Sequence, residues 1–139
     1  MNPINLEFKS NKTPEEIFSY LSDMTKFASV HPVISKIDKL QGGNYLVYET
    51  LKFAGIPISF TYPVVVLSDS EENQVCIRAT VMKITKIEMN ISILSKGGGS
   101  LIKEEISFKS FLPVKKIMAG IFRKQHAELF DNIEKDKLK

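Results

Sequence analysis

Near the C-terminus, apolar residues fall at Val114, Ile117, Met118, Ile121, Phe122, Leu129, Phe130 and Ile133. This three-and-four spacing lays one apolar stripe along a helix running from about Val114 to Lys135. Pro113 stands just ahead, where a helix start tolerates proline. At about 1.5 Å per residue the helix is roughly 33 Å long, so it needs a partner surface of similar length. Seven strands about 4.8 Å apart span that distance. The rest of the chain reads as such a sheet.

Ile4, Leu6 and Phe8 alternate with Asn5, Glu7 and Lys9, the period of a half-buried strand. Thr13-Pro14-Glu15-Glu16 then predicts a helix start, with threonine as N-cap, proline in the first turn and Glu16 closing a capping box. Ile17, Tyr20, Leu21 and Met24 continue that helix on one face. Asp23 to Val30 fits a second short helical turn, stopped at His31-Pro32 because a residue before proline avoids helical geometry. From Val33 to Phe111 the pattern predicts strands over 34–40, 44–54, 57–67, 74–82, 85–95 and 100–111. Gln41-Gly42-Gly43, Gly55-Ile56 and Gly97-Gly98-Gly99 are the expected turns.

Short turns between consecutive strands make an antiparallel meander with one dry and one wet face. The inward phases hold Ile58, Phe60, Tyr62 and Val64; Val75, Ile77 and Ala79; Ile87, Met89, Ile91 and Ile93; and Ile102, Ile106 and Phe108. Pro63 marks a bulge or an edge, and a bulge there would reverse the facing of Val64 to Leu67. The expected fold is therefore α+β: one strand, a helix with a short second turn, six strands, then a long helix gripped by the curved sheet.

That order, with the capped helix at Thr13-Pro14-Glu15-Glu16-Ile17-Phe18, the Asp23-Met24 to His31-Pro32 segment, the Gly97-Gly98-Gly99 hairpin and the last helix, resembles the helix-grip fold of the START-like (SRPBCC) superfamily. The small polyketide-cyclase/dehydrase-like members are the nearest in pattern. The resemblance covers the whole chain, residues 1–139, as one domain. It implies a cavity between sheet and helix that in many relatives takes a lipid, polyketide, hormone or other hydrophobic ligand.

The 139 residues, 43% hydrophobic and 25% charged, suit one globular domain with its own core. Nineteen basic against 16 acidic side chains leave a net charge of +3, too small and dispersed to argue for a nucleic-acid partner. Lys115, Lys116, Arg123 and Lys124 cluster on the last helix and read as a solvated face. Cys76 is the single cysteine, so no internal disulfide forms, which suits a reducing compartment. With no basic-then-apolar opening, and no apolar run near the roughly 20 residues of a membrane span, the expectation is a cytoplasmic protein without a transmembrane segment. Oligomeric state stays open.

The sequence holds no phosphate-binding glycine motif, nucleophile elbow, CxxC or HExxH, so neither cofactor nor metal is expected. Cys76 lies in an outward phase and receives no role. Polar residues in inward phases remain. Glu104 interrupts Ile102, Ile106 and Phe108, and a carboxylate there must be paired, hydrated or protonated. Glu49 shares a phase with Tyr45, Val47, Leu51 and Phe53, and a Gly55-Ile56 turn would set it opposite Tyr62. His126 stands at the margin of the helix stripe, between Phe122 and Phe130. These four either orient a ligand or each make one structural hydrogen bond at a rim. His31 reads as a loop residue.

The candidate ligand-binding residues are Glu49, Phe60, Tyr62, Ile77, Met89, Glu104, Phe108, Met118, Ile121, Phe122, Gln125 and His126, with Glu104 and His126 the candidates for acid/base chemistry. The stripe lapses at Gln125 and His126, which suggests space or a polar ligand group. Ile121 is expected in the core. A binding module for a hydrophobic small molecule needs only the apolar concave wall and is favoured. A cyclase, dehydrase or hydrolase needs two polar groups converging in the pocket. A protein-interaction module needs an exposed apolar patch.

Overall fold

Short turns leave consecutive strands no choice but to pair, and the sheet bears this out from its second strand to its last. The computed structural model describes residues 3–110 and 115–136, and of Phe53 the backbone alone. The elements are β1 (Ile4–Ser10), α1 (Pro14–Ser22), α2 (Met24–Val30), β2 (Ile34–Lys39), β3 (Asn44–Phe53), β4 (Ile56–Asp69), β5 (Gln74–Val81), β6 (Thr85–Lys96), β7 (Gly99–Ser110) and α3 (Lys115–Lys135). The helix start expected at Pro113 and Val114 and the strand end at Phe111 lie outside the described residues. One seven-stranded sheet runs β1-β7-β6-β5-β4-β3-β2. Its two edges, β1 and β2, are consecutive strands of the chain, so α1 and α2 must carry the chain from one edge to the other.

The helix ends form as their residues dictate. Thr13 Oγ1 accepts from the Glu16 N–H at 3.2 Å, and Glu16 Oε1 accepts from the Thr13 N–H at 3.1 Å, which completes the capping box. Asp23 both closes α1 and opens α2. Its N–H donates to the Ser19 carbonyl at 3.1 Å, and its Oδ1 accepts from the N–H groups of Thr25 at 3.0 Å and Lys26 at 3.3 Å. Ile17 and Leu21 of α1, Ile102 and Ile106 of β7, and Ile133 of α3 are completely enclosed, each at 0% exposure, and mark the dry centre.

The structure decides three points, two of them against expectation and one, at Pro63, between the alternatives of a bulge and an edge. The β3–β4 turn is Ala54-Gly55, with φ of 51° and 81°, not Gly55-Ile56. Phe53 therefore pairs with Ile56, Glu49 with Phe60, and Tyr62 with Val47. Pro63 introduces no bulge: the β3–β4 register is unbroken through it, Val64 is buried and Val66 packs on the core while Leu67 is exposed. Pro63 sits instead just before the first β4–β5 pair, Val64 with Ala79. In that ladder residues 56–63 have β3 alone as partner, and Ile58 on this overhang is 45% exposed although its phase is inward.

The third point concerns α3. Its buried residues are Gln125, His126, Leu129, Phe130 and Ile133, whereas Ile117 is 63% exposed and Ile121 only partly covered. At 3.6 residues per turn, Ile117 lies about 180° and Ile121 about 140° round the helix from His126. The buried face is thus centred on the residue that the apolar pattern leaves at its margin.

Ile133→Asp is accordingly expected to destabilise by several kcal/mol, the cost of a bare charge in a core, and Ile121→Asp by far less. Equal urea midpoints for the two variants would contradict this. At the β1–β7 edge, a Cβ on Gly99 would stand 2.2 Å from the Ser10 carbonyl oxygen. Gly99→Ala should therefore cost about 2 kcal/mol by overpacking, and a midpoint equal to that of the parent would disprove the close approach.

Candidate functional site

Strand alternation turns Glu104 to the same face as Ile102 and Ile106, so its carboxylate has no route to solvent. It meets His126 from the middle of α3, with Nδ1 and Oε1 2.7 Å apart and the two side chains 0% and 4% exposed for Glu104 and His126 respectively. This is one hydrogen bond, and the tautomer of the imidazole sets which atom donates. Among the described residues Glu104 Oε2 is the buried side-chain oxygen with no hydrogen-bond partner. Phe122, one helical turn before His126, lies edge-on to the imidazole at 5.4 Å and also touches Phe108 at 5.4 Å.

A second pair forms on β3 and β4, on the same inward face of the sheet. Tyr62 donates to Glu49 Oε1 at 2.6 Å even though the two residues are diagonal, not opposite, across β3 and β4. The corrected turn moves the register by two residues, and the length of the tyrosine spans the difference. Burial raises the Glu49 pKa, while the Tyr62 hydrogen bond and the charge of His126 pull it down. Burial, then the Glu49 carboxylate beside it, holds the Tyr62 hydroxyl well above its ordinary range. His126 therefore acts electrostatically on both sides of the interior.

His31 joins them. It stands between α2 and β2 as the proline rule requires, but its ring turns inward against Phe27 at 5.3 Å. Its Nδ1 accepts from the backbone N–H groups of Val33 and Ile34, both at 3.3 Å. Burial, and next the nearby His126, lower its pKa to about 3. Reading His31 as a loop residue missed this. The local signal, His-Pro after a short helix, locates the residue in the chain without telling which way the ring turns.

The other candidates sort by depth. Ile77 and Phe108 are buried, as is Gln125, whereas Phe60, Met89, Met118, Ile121 and Phe122 are partly exposed. Gln125 and His126, where the apolar stripe lapses, therefore face the interior. Phe130 stacks on Phe8 at 4.6 Å, which closes that end of the helix against β1. Two hollows lie elsewhere: about 450 Å³ around Leu67, Cys76 and Asn90 on the outward register row, and about 400 Å³ between the β6–β7 hairpin and Glu134. Neither is lined by a candidate residue. Burial raises the Cys76 thiol pKa, consistent with an unreactive side chain. Among the described residues no group of three or more His, Cys, Asp or Glu is placed to hold a metal ion, and no helix is long and apolar enough to cross a membrane.

A seven-stranded antiparallel sheet curved about a long C-terminal helix is the START-like helix-grip fold. The chain belongs to the polyketide cyclase/dehydrase and lipid transport family, whose model matches residues 4–136. No curated protein sequence matches it significantly. Among solved structures, a START superfamily protein from Mycobacterium smegmatis is similar at a TM-score of 0.75 and 17% identity, covering 96% of this chain and 95% of that one. Ara h 8.0201 gives 0.73 and 19%, over 95% and 94%. A Thalictrum norcoclaurine synthase point mutant in complex with a transition-state analogue gives 0.70 and 17%, over 96% and 91%. At these identities the likeness is one of fold.

His31 makes the site sensitive to acid. Its folded pKa of about 3 lies below the ordinary 6.5, so on acidification the unfolded chain takes up this proton first. The His31 contribution to stability is therefore full above about pH 6.5 and is lost progressively as pH falls towards 3. His31→Asn retains an acceptor for the Val33 and Ile34 N–H groups without the titration. Urea midpoints at about pH 7.5 and 5 should fall more steeply for the parent than for this variant. Parallel losses would show that His31 is not held neutral.

Proposed function

We propose that this protein binds a hydrophobic small molecule between the concave face of the sheet and the N-terminal half of α3, with the polar end directed at Glu104 and His126. The observation that carries this reading is the unpartnered Glu104 Oε2, enclosed in the core beside His126, against whose ring the half-covered Phe122 lies edge-on. An ionised carboxylate oxygen left without a donor is costly, and a native protein retains one where a ligand or catalytic role returns the cost. Phe60, Met89 and Ile121 supply further apolar surface that the fold does not itself cover. Ile77 and Phe108 form the floor, and Glu49 with Tyr62 a second polar spot. Membership of a family that includes lipid transport agrees with such a ligand.

An enzyme is the second reading, favoured by the 2.7 Å contact between a carboxylate and an imidazole, which is suited to moving a proton. In that case Glu104 or His126 acts as acid or base on the bound molecule.

Native mass spectrometry of protein purified from its own host tests both. The expected result is a mass increment that disappears on extraction with organic solvent. A bare mass, together with no uptake of any apolar probe, would refute binding. A co-purified molecule whose mass stays unchanged on prolonged incubation with fresh protein would favour the carrier over the enzyme.

A further inference from the structure

The hydrogen-bonding capacity left open in the interior identifies the polar end of the ligand. We infer that this end is a hydrogen-bond donor, a hydroxyl or a protonated amine, and that the site discriminates against carboxylates. This rests on the binding reading above and narrows it to one chemical class.

Tyr62 has given its hydroxyl proton to Glu49, and His126 Nδ1 is engaged by Glu104. His31 has its Nδ1 occupied by two backbone N–H groups, so its remaining proton is on Nε2, and the ring stays uncharged at neutral pH. The fully enclosed side-chain atom without a partner among the described residues is Glu104 Oε2, which in the carboxylate form only accepts. No lysine or arginine is buried among the described residues, whereas Glu49 and Glu104 both are.

A hydroxyl or ammonium group arriving at Oε2 completes a bond that is otherwise missing. A carboxylate arriving there sets acceptor against acceptor, beside two buried acidic side chains, Glu49 and Glu104. Overall charge points the other way: the protein carries +3, so non-specific attraction would favour an acid over an amine. The predicted preference therefore belongs to the site and not to the surface.

Three chain-matched probes decide the matter: decan-1-ol, decylamine and decanoate, titrated calorimetrically into the full-length protein below their micellar concentrations. At about pH 7.5 the amine is protonated and the acid ionised. Decylamine and decanol are expected to bind at least about tenfold more tightly than decanoate, since an unmade buried hydrogen bond costs at least that factor. Glu104→Gln, which places an amide donor at the same position, should reduce the difference between amine and acid to within about threefold. Its thermal unfolding curve shows whether it is folded; if it is not, the parent series decides alone. Decanoate binding as tightly as decylamine and decanol would overturn the inference while leaving an apolar pocket intact. An undiminished preference in folded Glu104→Gln would overturn the role of Glu104. Failure of all three probes to bind would remove the binding reading and this inference with it.

Discussion

The hydrogen bond between Glu104 and His126 joins the middle of β7 to the middle of α3. A carboxylate between Ile102 and Ile106 is costly to take out of water, by several kcal/mol, unless a partner meets it at close range. That demand sets the rotation of the last helix. With His126 facing the sheet, Phe122, Leu129, Phe130 and Ile133 fall within about 60° of it and Ile117 is carried to the opposite side. Such a pair confers little net stability compared with apolar residues of the same size. Its effect is to specify one helix orientation, and it leaves Oε2 without a partner in the process.

The interior consequently has two unlike ends. At the C-terminal end of α3, Phe130 stacks on Phe8, and Ile133 is wholly enclosed. Polar ties reinforce this end at the surface: Tyr20 donates to Asp136 at 2.5 Å, Ser10 bonds to Glu134, and Asn132 donates to the Val30 carbonyl at 2.8 Å. At the other end Met118, Ile121 and Phe122 are partly open, and the β3–β4 hairpin of the sheet overhangs its neighbours. Tight packing at one end fixes the helix, so the other end can remain loosely covered without loss of the fold.

His126 is the meeting point of groups from different elements: Glu104 from β7, Glu49 from β3 and His31 from the α2–β2 connection. Burial makes these groups matter to one another, since charge is poorly screened where water is excluded. The lowered pKa of His31 and the raised pKa of Glu49 are both first of all effects of burial, and His126 modifies each.

Features encoded within a few residues were legible in the chain. The capping box at Thr13 and Glu16, the stop at His31-Pro32, the strand phases through Val75, Ile77 and Ala79, and the inward carboxylates at 49 and 104 follow from local sterics and period-two alternation. The Glu49–Tyr62 contact was also foreseen, though through the wrong turn. A one-residue choice between Ala54-Gly55 and Gly55-Ile56 shifts every cross-strand pair by two, and both choices keep the same residues facing inward. The facing of α3 was not legible, because an apolar stripe eight positions long has room for several rotations and polar residues are conventionally placed outside. Only when β7 presented Glu104 to the helix did His126 become the centre of the buried face. The sequence by itself determined which residues alternate, where helices start and which carboxylates enter the core. Tertiary structure alone decided which side of α3 is inside, that His31 turns inward, and that one oxygen of Glu104 has no partner, since each depends on groups distant in the chain meeting across a water-free gap.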